Sequence, residues 1–247
     1  MKKIIFWTAL ISILGLLIGA CSKRSAEDAT TAFVESCDDT TASGSITIGS
    51  DTASGTYLHL TSNESYNSLP ATGCSQAAYD GTDPTMPPGL NSILRKKIIT
   101  SSTSFVDHVS YYSDTACTSR LGYLEKRYSN LSVGDTVSGL DNSSGGRPTS
   151  GYRVTYKPEC AKIMADTDAA MVTFNTAYAA FFHIYPMTTG TEKAFCETWA
   201  CQVQTYYSIW GAGDNGTTFS IYQAMGGSAG YEPSDWNDNS GGTTYQR

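Results

Sequence analysis

The sequence predicts a mainly β domain, an antiparallel barrel or sandwich with a helical insertion, braced by disulfides. Three observations predict it. Ser, Thr, Gly and Tyr are abundant and only 16% of the 247 residues are charged, which suits strands and turns better than helical bundles. Short segments alternate apolar and polar residues with a period of two, the pattern of half-buried strands. The chain opens on an export signal and carries six further cysteines beyond it, the usage of an oxidising compartment.

The signal comes first. Lys2 and Lys3 precede an apolar run from Ile4 to Ile18, broken only by Thr8, Ser12 and Gly15. A basic start, an apolar core and small residues read as a secretory signal; the run is short of the roughly 20 apolar residues that a membrane-spanning helix needs. It ends in Ile18-Gly19-Ala20-Cys21, which resembles the lipobox of bacterial lipoproteins. That resemblance implies removal of residues 1–20 as a signal peptide and acylation of Cys21, on its thiol by diacylglycerol and on its new amino group by a fatty acid such as palmitate. Several chains on one residue anchor stably, where one alone binds marginally. Ser22, in place of Asp, resembles an outer-membrane address in the enterobacterial sorting scheme. The expected location is therefore the cell envelope, lipid-anchored, at the outer membrane. A plain signal peptide with a chance cysteine is the competing reading.

Sixteen basic residues stand against 23 acidic ones, a net charge of −7, and loss of Lys2 and Lys3 with the signal deepens the imbalance. Nucleic acid is excluded as a partner, because it needs a basic face. Length suits a single domain. The six later cysteines, Cys37, Cys74, Cys117, Cys160, Cys196 and Cys201, are expected to form three disulfides whose pairing spacing does not choose. They lack C-x-x-C spacing, and His59, His108 and His183 are scattered, so neither a metal nor a cofactor is expected.

Residues 21–56 read as the lipidated N-terminus and a polar tether, with a short strand at Ser45–Ile48 and the alternative of an ordered edge left open by Cys37. Residues 57–247 read as one β-rich domain. Its strands are expected at Tyr57–Leu60, Ile93–Thr100, Ser104–Tyr112, Leu121–Tyr128 and Val133–Val137, the last with a turn at Gly134-Asp135. Tyr152, Val154 and Tyr156 alternate with Arg153 and Thr155 in a further half-buried strand. The helical insertion falls around 160–201. Within it Met171, Phe174, Tyr178, Phe181 and Tyr185 recur at helical spacing, with Asp166, Thr167 and Asp168 at the start and Pro186 at the end; two strands are the rival reading. Thr191–Ala200 reads as a further helical turn. Val203, Thr205, Tyr207 and Ile209 then alternate, as do Phe219 and Ile221, around Asn215-Gly216, a hairpin signature. Residues 226–247 read as irregular.

Tyr112, Asp114 and Cys117, followed by Gly134, form a Tyr-x-Asp-x-x-Cys pattern that resembles a recurring bacterial exported domain, a lipocalin-like antiparallel barrel. The tail Glu232-Pro233-Ser234-Asp235 with Thr244-Tyr245-Gln246-Arg247 is similar to such domains as well. The departure is the stretch from Cys160 to Cys201, which a minimal barrel does not need.

Motifs for chemistry are weak. Gly226-Gly227-Ser228-Ala229-Gly230 matches G-x-S-x-G, but no histidine follows Ser228 and turn formers replace the required helix. Asp235, Asn237 and Asn239 have the opening spacing of a calcium loop, broken by Ser240 and Gln246. Asp166 with Asp168, and Glu192 with Glu197, read as capping and surface charge rather than catalytic pairs. Phe105, Tyr111, Tyr152, Tyr156, Tyr207 and Phe219 are expected to line one interior, which a small barrel either fills or leaves open for one small ligand. The expected function is a non-enzymatic, lipid-anchored envelope lipoprotein that binds a small apolar ligand or an envelope protein. The alternatives are a secreted hydrolase with an unrecognised site and a purely structural envelope protein.

Overall fold

The structure, a computed structural model, describes residues 37, 40–60, 74–76, 86–141, 148–176, 186–195, 204–214, 219–225, 232–236 and 243–247. Among these residues, twelve strands run in chain order as β1 (Ser45–Ile48), β2 (Asp51–Ser54), β3 (Thr56–Leu60), β4 (Cys74–Gln76), β5 (Ser92–Ile99), β6 (Phe105–Tyr112), β7 (Arg120–Ser138), β8 (Ser150–Ala165), β9 (Lys193–Phe195), β10 (Tyr206–Asp214), β11 (Phe219–Met225) and β12 (Thr243–Gln246). Helix α1 (Asp168–Phe174) lies between β8 and β9. Eight strands close an antiparallel barrel in the order β3-β5-β6-β7-β8-β10-β11-β12, with β12 returning to β3. Between the two expected all-β architectures, the chain forms the barrel.

Two long strands change partners along their length, and that sets the shape. β5 pairs with β3 through Lys96–Ile98 and with β4 through Ser92–Leu94. β8 pairs with β10 through Tyr152–Tyr156 and with β9 through Ala161–Ile163. Pro158 sits between those two ladders and beside a register shift against β7, where its missing N–H leaves no gap. A second irregularity in β7 holds Asn130 at φ 53°, a left-handed value that Asn tolerates, and Leu131 is buried beside it. β7 is thus one strand from Arg120 to Ser138; at the expected turn, Gly134-Asp135, it runs on through a register shift between the Val133–Val154 and Thr136–Tyr152 pairs.

The inward residues fill the barrel in two layers. At one end Tyr57, Ile99, Phe105, Tyr128, Val154, Tyr156, Trp210, Ile221 and Tyr245 pack together, and Ile46, Ile48 and Ala53 of the β1–β2 hairpin close the mouth. Gly49, at φ 65°, opens the two-residue turn of that hairpin and lies so close to Tyr152 that a Cβ would fall 2.1 Å from its hydroxyl. The compact unit accordingly begins at Val34, and the segment read partly as tether contributes a plug. At the other end Ile93, Tyr111, Leu124 and Ile163 meet Ala170 and Phe174 of α1. Thr167 caps this helix by accepting from the Ala170 amide at 3.2 Å. Phe174 lies over Gly122, where a Cβ would come within 2.8 Å of the ring. Each large apolar side chain so buried stabilises the fold by about 1.5–3 kcal/mol.

A third cluster lies on the outer face. Ile209, Tyr222 and Ala224 pack with Leu140 and Trp236, and the Trp236 indole donates to the Pro148 carbonyl at 2.7 Å. The tail expected to be irregular therefore supplies Trp236 and β12, the strand that completes the barrel. Lys193–Phe195, expected within a helical turn, is strand β9. The helix expected from the 171–185 periodicity is described over Asp168–Phe174; Tyr178, Phe181 and Tyr185 lie outside the described residues. Residues 160–165, expected at the start of the insertion, continue β8.

Two disulfides join described residues, Cys37–Cys160 and Cys74–Cys117, each with Cα atoms 5.9 Å apart. The second explains Tyr-x-Asp-x-x-Cys as a structural staple. The Asp114 carboxylate accepts from the Ala116, Thr118 and Ser119 amides, which holds its pKa down at about 2. That loop presents Cys117, at φ 56°, to Cys74 on β4. Cys196 and Cys201 lie outside the described residues, as does Cys21. Thiol titration of the denatured, unreduced mature chain should find none of the six later cysteines free, with Cys196 and Cys201 left as each other's partners; two free thiols would remove the third bridge. Replacing Cys37 and Cys160 by Ser should cost about 2–5 kcal/mol.

Candidate functional site

The waist of the barrel, between the two apolar layers, is polar. Its construction follows from period-two alternation: residues directly opposite in a ladder share a face. Tyr57, Lys97, Asp107, Lys126 and Ala161 form one inward row across β3, β5, β6, β7 and β8. Arg95, Val109, Leu124 and Ile163 form the adjacent row. His59 on β3 faces Tyr245 on β12, with the two rings 5.2 Å apart.

Lys97 is 0% exposed. Its ammonium lies 2.5 Å from Asp107 Oδ1 and over the rings of Phe105 at 4.1 Å, Tyr245 at 4.6 Å and Trp210 at 5.1 Å. Burial pushes its pKa down, and Asp107 opposes that. The three ring faces add cation–π attraction where water is absent. Burial also drives Tyr156 and Tyr245 above the ordinary phenol range, with Asp107 adding to the effect. His59 is held down at about 4 by burial and then by the charges of Arg95 and Lys97, so its ring is neutral at physiological pH.

Three atoms among the described inward side chains lack a hydrogen-bond partner: His59 Nδ1, Trp210 Nε1 and Gln223 Oε1. Trp210 and Gln223 are both 0% exposed, and buried polar atoms are normally satisfied. Gln223 spends its amide nitrogen on the Tyr156 hydroxyl at 3.4 Å. Arg95 makes no ion pair or hydrogen bond among the described residues.

The aromatic residues expected to line one interior are divided by the fold. Phe105, Tyr152 and Tyr156 belong to the hairpin-plugged layer, with Tyr152 at its margin; Tyr111 belongs to the other, 5.8 Å from Phe174. Tyr207 is a correction. It sits opposite Thr155 on the outer face, and Ile209 beside it joins the outer cluster, because Tyr206, Ser208 and Trp210 take the inward positions of β10. Tyr206 stacks on Tyr156 at 5.9 Å. Phe219 pairs with Asp214 in the β10–β11 ladder; its side chain lies outside the described residues. The sequence reading missed Arg95, Lys97, His59 and Gln223. A signal existed: Ile93, Arg95, Lys97 and Ile99 share one parity, as do Phe105 and Asp107, which places two cations and an acid on apolar faces.

A second constellation lies on the outer face of β6 and β7. His108 Nδ1 is 2.8 Å from Glu125 Oε1 and His108 Nε2 is 2.6 Å from Ser110 Oγ. Thr40 donates to Glu125 at 2.8 Å, and Tyr123 stacks on the histidine at 5.5 Å. Burial raises the Glu125 pKa, but the bonds from His108 and Thr40 outweigh it and hold the carboxyl below its ordinary value. The bonding order is that of a Ser-His-acid triad. However, Ser110 is 3% exposed, and β6 is paired on both sides. Its amides therefore serve the ladders and leave no pair free for an oxyanion.

The other carboxylates have structural partners. Asp166 pairs with Arg120 at 2.6 Å, Asp168 accepts from Thr189 at 2.6 Å, and Glu192 accepts from Tyr123. Asp235 accepts from the Asp141 amide at 2.8 Å; Ser228, Asn237, Asn239, His183 and Glu197 lie outside the described residues. No group of three or more His, Cys, Asp or Glu able to hold a metal occurs among the described residues. No protein-family model matches the chain, and no curated protein matches it.

The His59 environment sets a pH dependence. The unfolded ring takes a proton near 6.5, the folded ring only near 4, so below 6.5 the unfolded state binds the extra proton. Stability is whole above that pH and falls as pH drops toward 4, by roughly 1.4 kcal/mol per unit at most. Urea unfolding across this window should show the slope in the wild type and a flatter profile in His59→Phe. Identical profiles would contradict the buried, neutral histidine.

Proposed function

We propose that this chain is a non-enzymatic, lipid-anchored lipoprotein of the cell envelope whose barrel takes up a small ligand with an apolar body. The observation that carries the reading is partial exposure at the waist. Arg95, Val109, Lys126 and His59 face inward yet are only half-buried, and the Asp107 side chain keeps 23% of its surface. The flanking layers are sealed, with Phe105, Ile99 and Trp210 on one side and Ala165 and Phe174 on the other at 0%. Inward side chains that touch solvent line a recess, and recesses with apolar walls and a few polar groups suit small ligands. The unpartnered atoms of His59, Trp210 and Gln223 support the same reading.

Lipid attachment at Cys21 rests on the sequence Ile18-Gly19-Ala20-Cys21, and the outer membrane on Ser22. An envelope-protein partner is the variant of this reading in which the recess stays empty. One observation favours a hydrolase, the Ser110-His108-Glu125 alignment. The burial of Ser110 and the absence of a free amide pair weigh against it.

The test uses the full-length protein in zwitterionic nanodiscs. An environment-sensitive apolar fluorophore should show saturable uptake beyond that of empty discs, displaced by a medium-chain fatty acid. Uptake no greater than that of empty discs would sink the ligand reading in favour of the partner. In the same preparations a fatty-acid analogue fed to cells should label the wild type and not Cys21→Ala. A fluorophosphonate should leave Ser110 unmodified, and labelling lost in Ser110→Ala would establish the hydrolase instead.

A further inference from the structure

We propose that the waist recess selects a monocarboxylate with an apolar body, its carboxylate held by the Arg95 guanidinium. This rests on the ligand reading above and names the ligand class. Lys97 and Asp107 neutralise each other at 2.5 Å. Arg95, one alternation further along β5, has no acid against it among the described residues, although it shares the inward face with Asp107 and is half-buried. A guanidinium held away from bulk water without a counter-ion is costly, and its planar fork matches a carboxylate through two parallel N–H···O bonds.

The surroundings fix the rest of the ligand. The row that carries Arg95 continues through Val109, Leu124 and Ile163, and the next inward positions are Ile93 and Tyr111. An anionic group on Arg95 thus has an apolar wall beside it. His59, one position beyond the Leu58–Lys96 pair and so beside Arg95 in the β3–β5 register, has Nδ1 without a partner. In the tautomer protonated there, it donates a second hydrogen bond without adding charge. One unmatched cation fits a monoanion better than a dianionic phosphate.

Decanoate and decanol share an apolar body and differ in the head, so they are the probes. In displacement of the apolar fluorophore from the full-length protein, decanoate should compete at least about tenfold more strongly than decanol, the worth of a charge-assisted hydrogen bond. Arg95→Gln should erase that preference by weakening decanoate alone, and Arg95→Lys should restore part of it. Equal competition by the two probes in the wild type overturns the inference whatever the variants do, while leaving the ligand reading intact. Failure of both to compete where the fluorophore binds also overturns it, and failure of the fluorophore itself overturns the underlying reading. A preference that persists in folded Arg95→Gln would show that another group holds the head.

Discussion

The ammonium of Lys97 is the constraint around which the barrel is arranged. A buried cation costs several kcal/mol unless its charge is met, and here it is met by groups from three other strands. β5 supplies the lysine, β6 supplies Asp107 and Phe105, β10 supplies Trp210 and β12 supplies Tyr245. The cage is therefore complete only when the last strand of the chain has returned beside β3. Local hairpins such as β5–β6 and β10–β11 can form on their own contacts. The cage adds a reason for them to close on one another in a single register, since a one-residue slip would turn Lys97 or Asp107 to the outside.

Around that pair the interior has a gradient. Below it, aromatic rings interlock: Phe105 stacks on Tyr128 at 4.9 Å and meets Tyr156 and Trp210 edge-on at 5.1 Å each. Above it, the wall flares into β4 and β9, and α1 packs over Gly122. Among the described residues, the waist is left with the groups that packing does not satisfy: an unmatched guanidinium, a neutral histidine and amide and indole atoms without partners. A fold selected only for stability would fill this layer with apolar side chains, which commonly do as well as or better than a buried ion pair. The arrangement makes physical sense if the layer also receives something polar.

Much of the fold was legible in the sequence, because alternation and turn chemistry are local. Asn215-Gly216 between alternating segments marked the β10–β11 hairpin, and Phe105 and Tyr111 marked one face of β6. What alternation does not specify is which face looks inward. Tyr207 and Ile209 are as apolar as Tyr206 and Trp210, and a third cluster around Trp236 gives the outer face a core of its own, so the face of β10 was inverted. Short strands made by tertiary pairing left no local trace: β9 and β12 span three and four residues. Gly134-Asp135 looked like a turn because its chemistry permits one, yet the pairs on either side keep β7 continuous and leave only a register shift there. The waist was missed because the opposition of Lys97 and Asp107 comes from the β5–β6 register, which the sequence of neither strand shows alone.

The central claim is that Lys97 and Asp107 act as one buried unit. A double-mutant cycle tests it most directly, with chemical unfolding of the wild type, Lys97→Met, Asp107→Leu and the pair together. Asp107→Leu should destabilise by about 3–5 kcal/mol, because it strands a buried ammonium, and Lys97→Met should cost less, because Asp107 retains some water. The double variant should recover most of the loss, giving a coupling of at least about 2 kcal/mol. Additive losses, with the double variant as unstable as the two singles combined, would contradict the account.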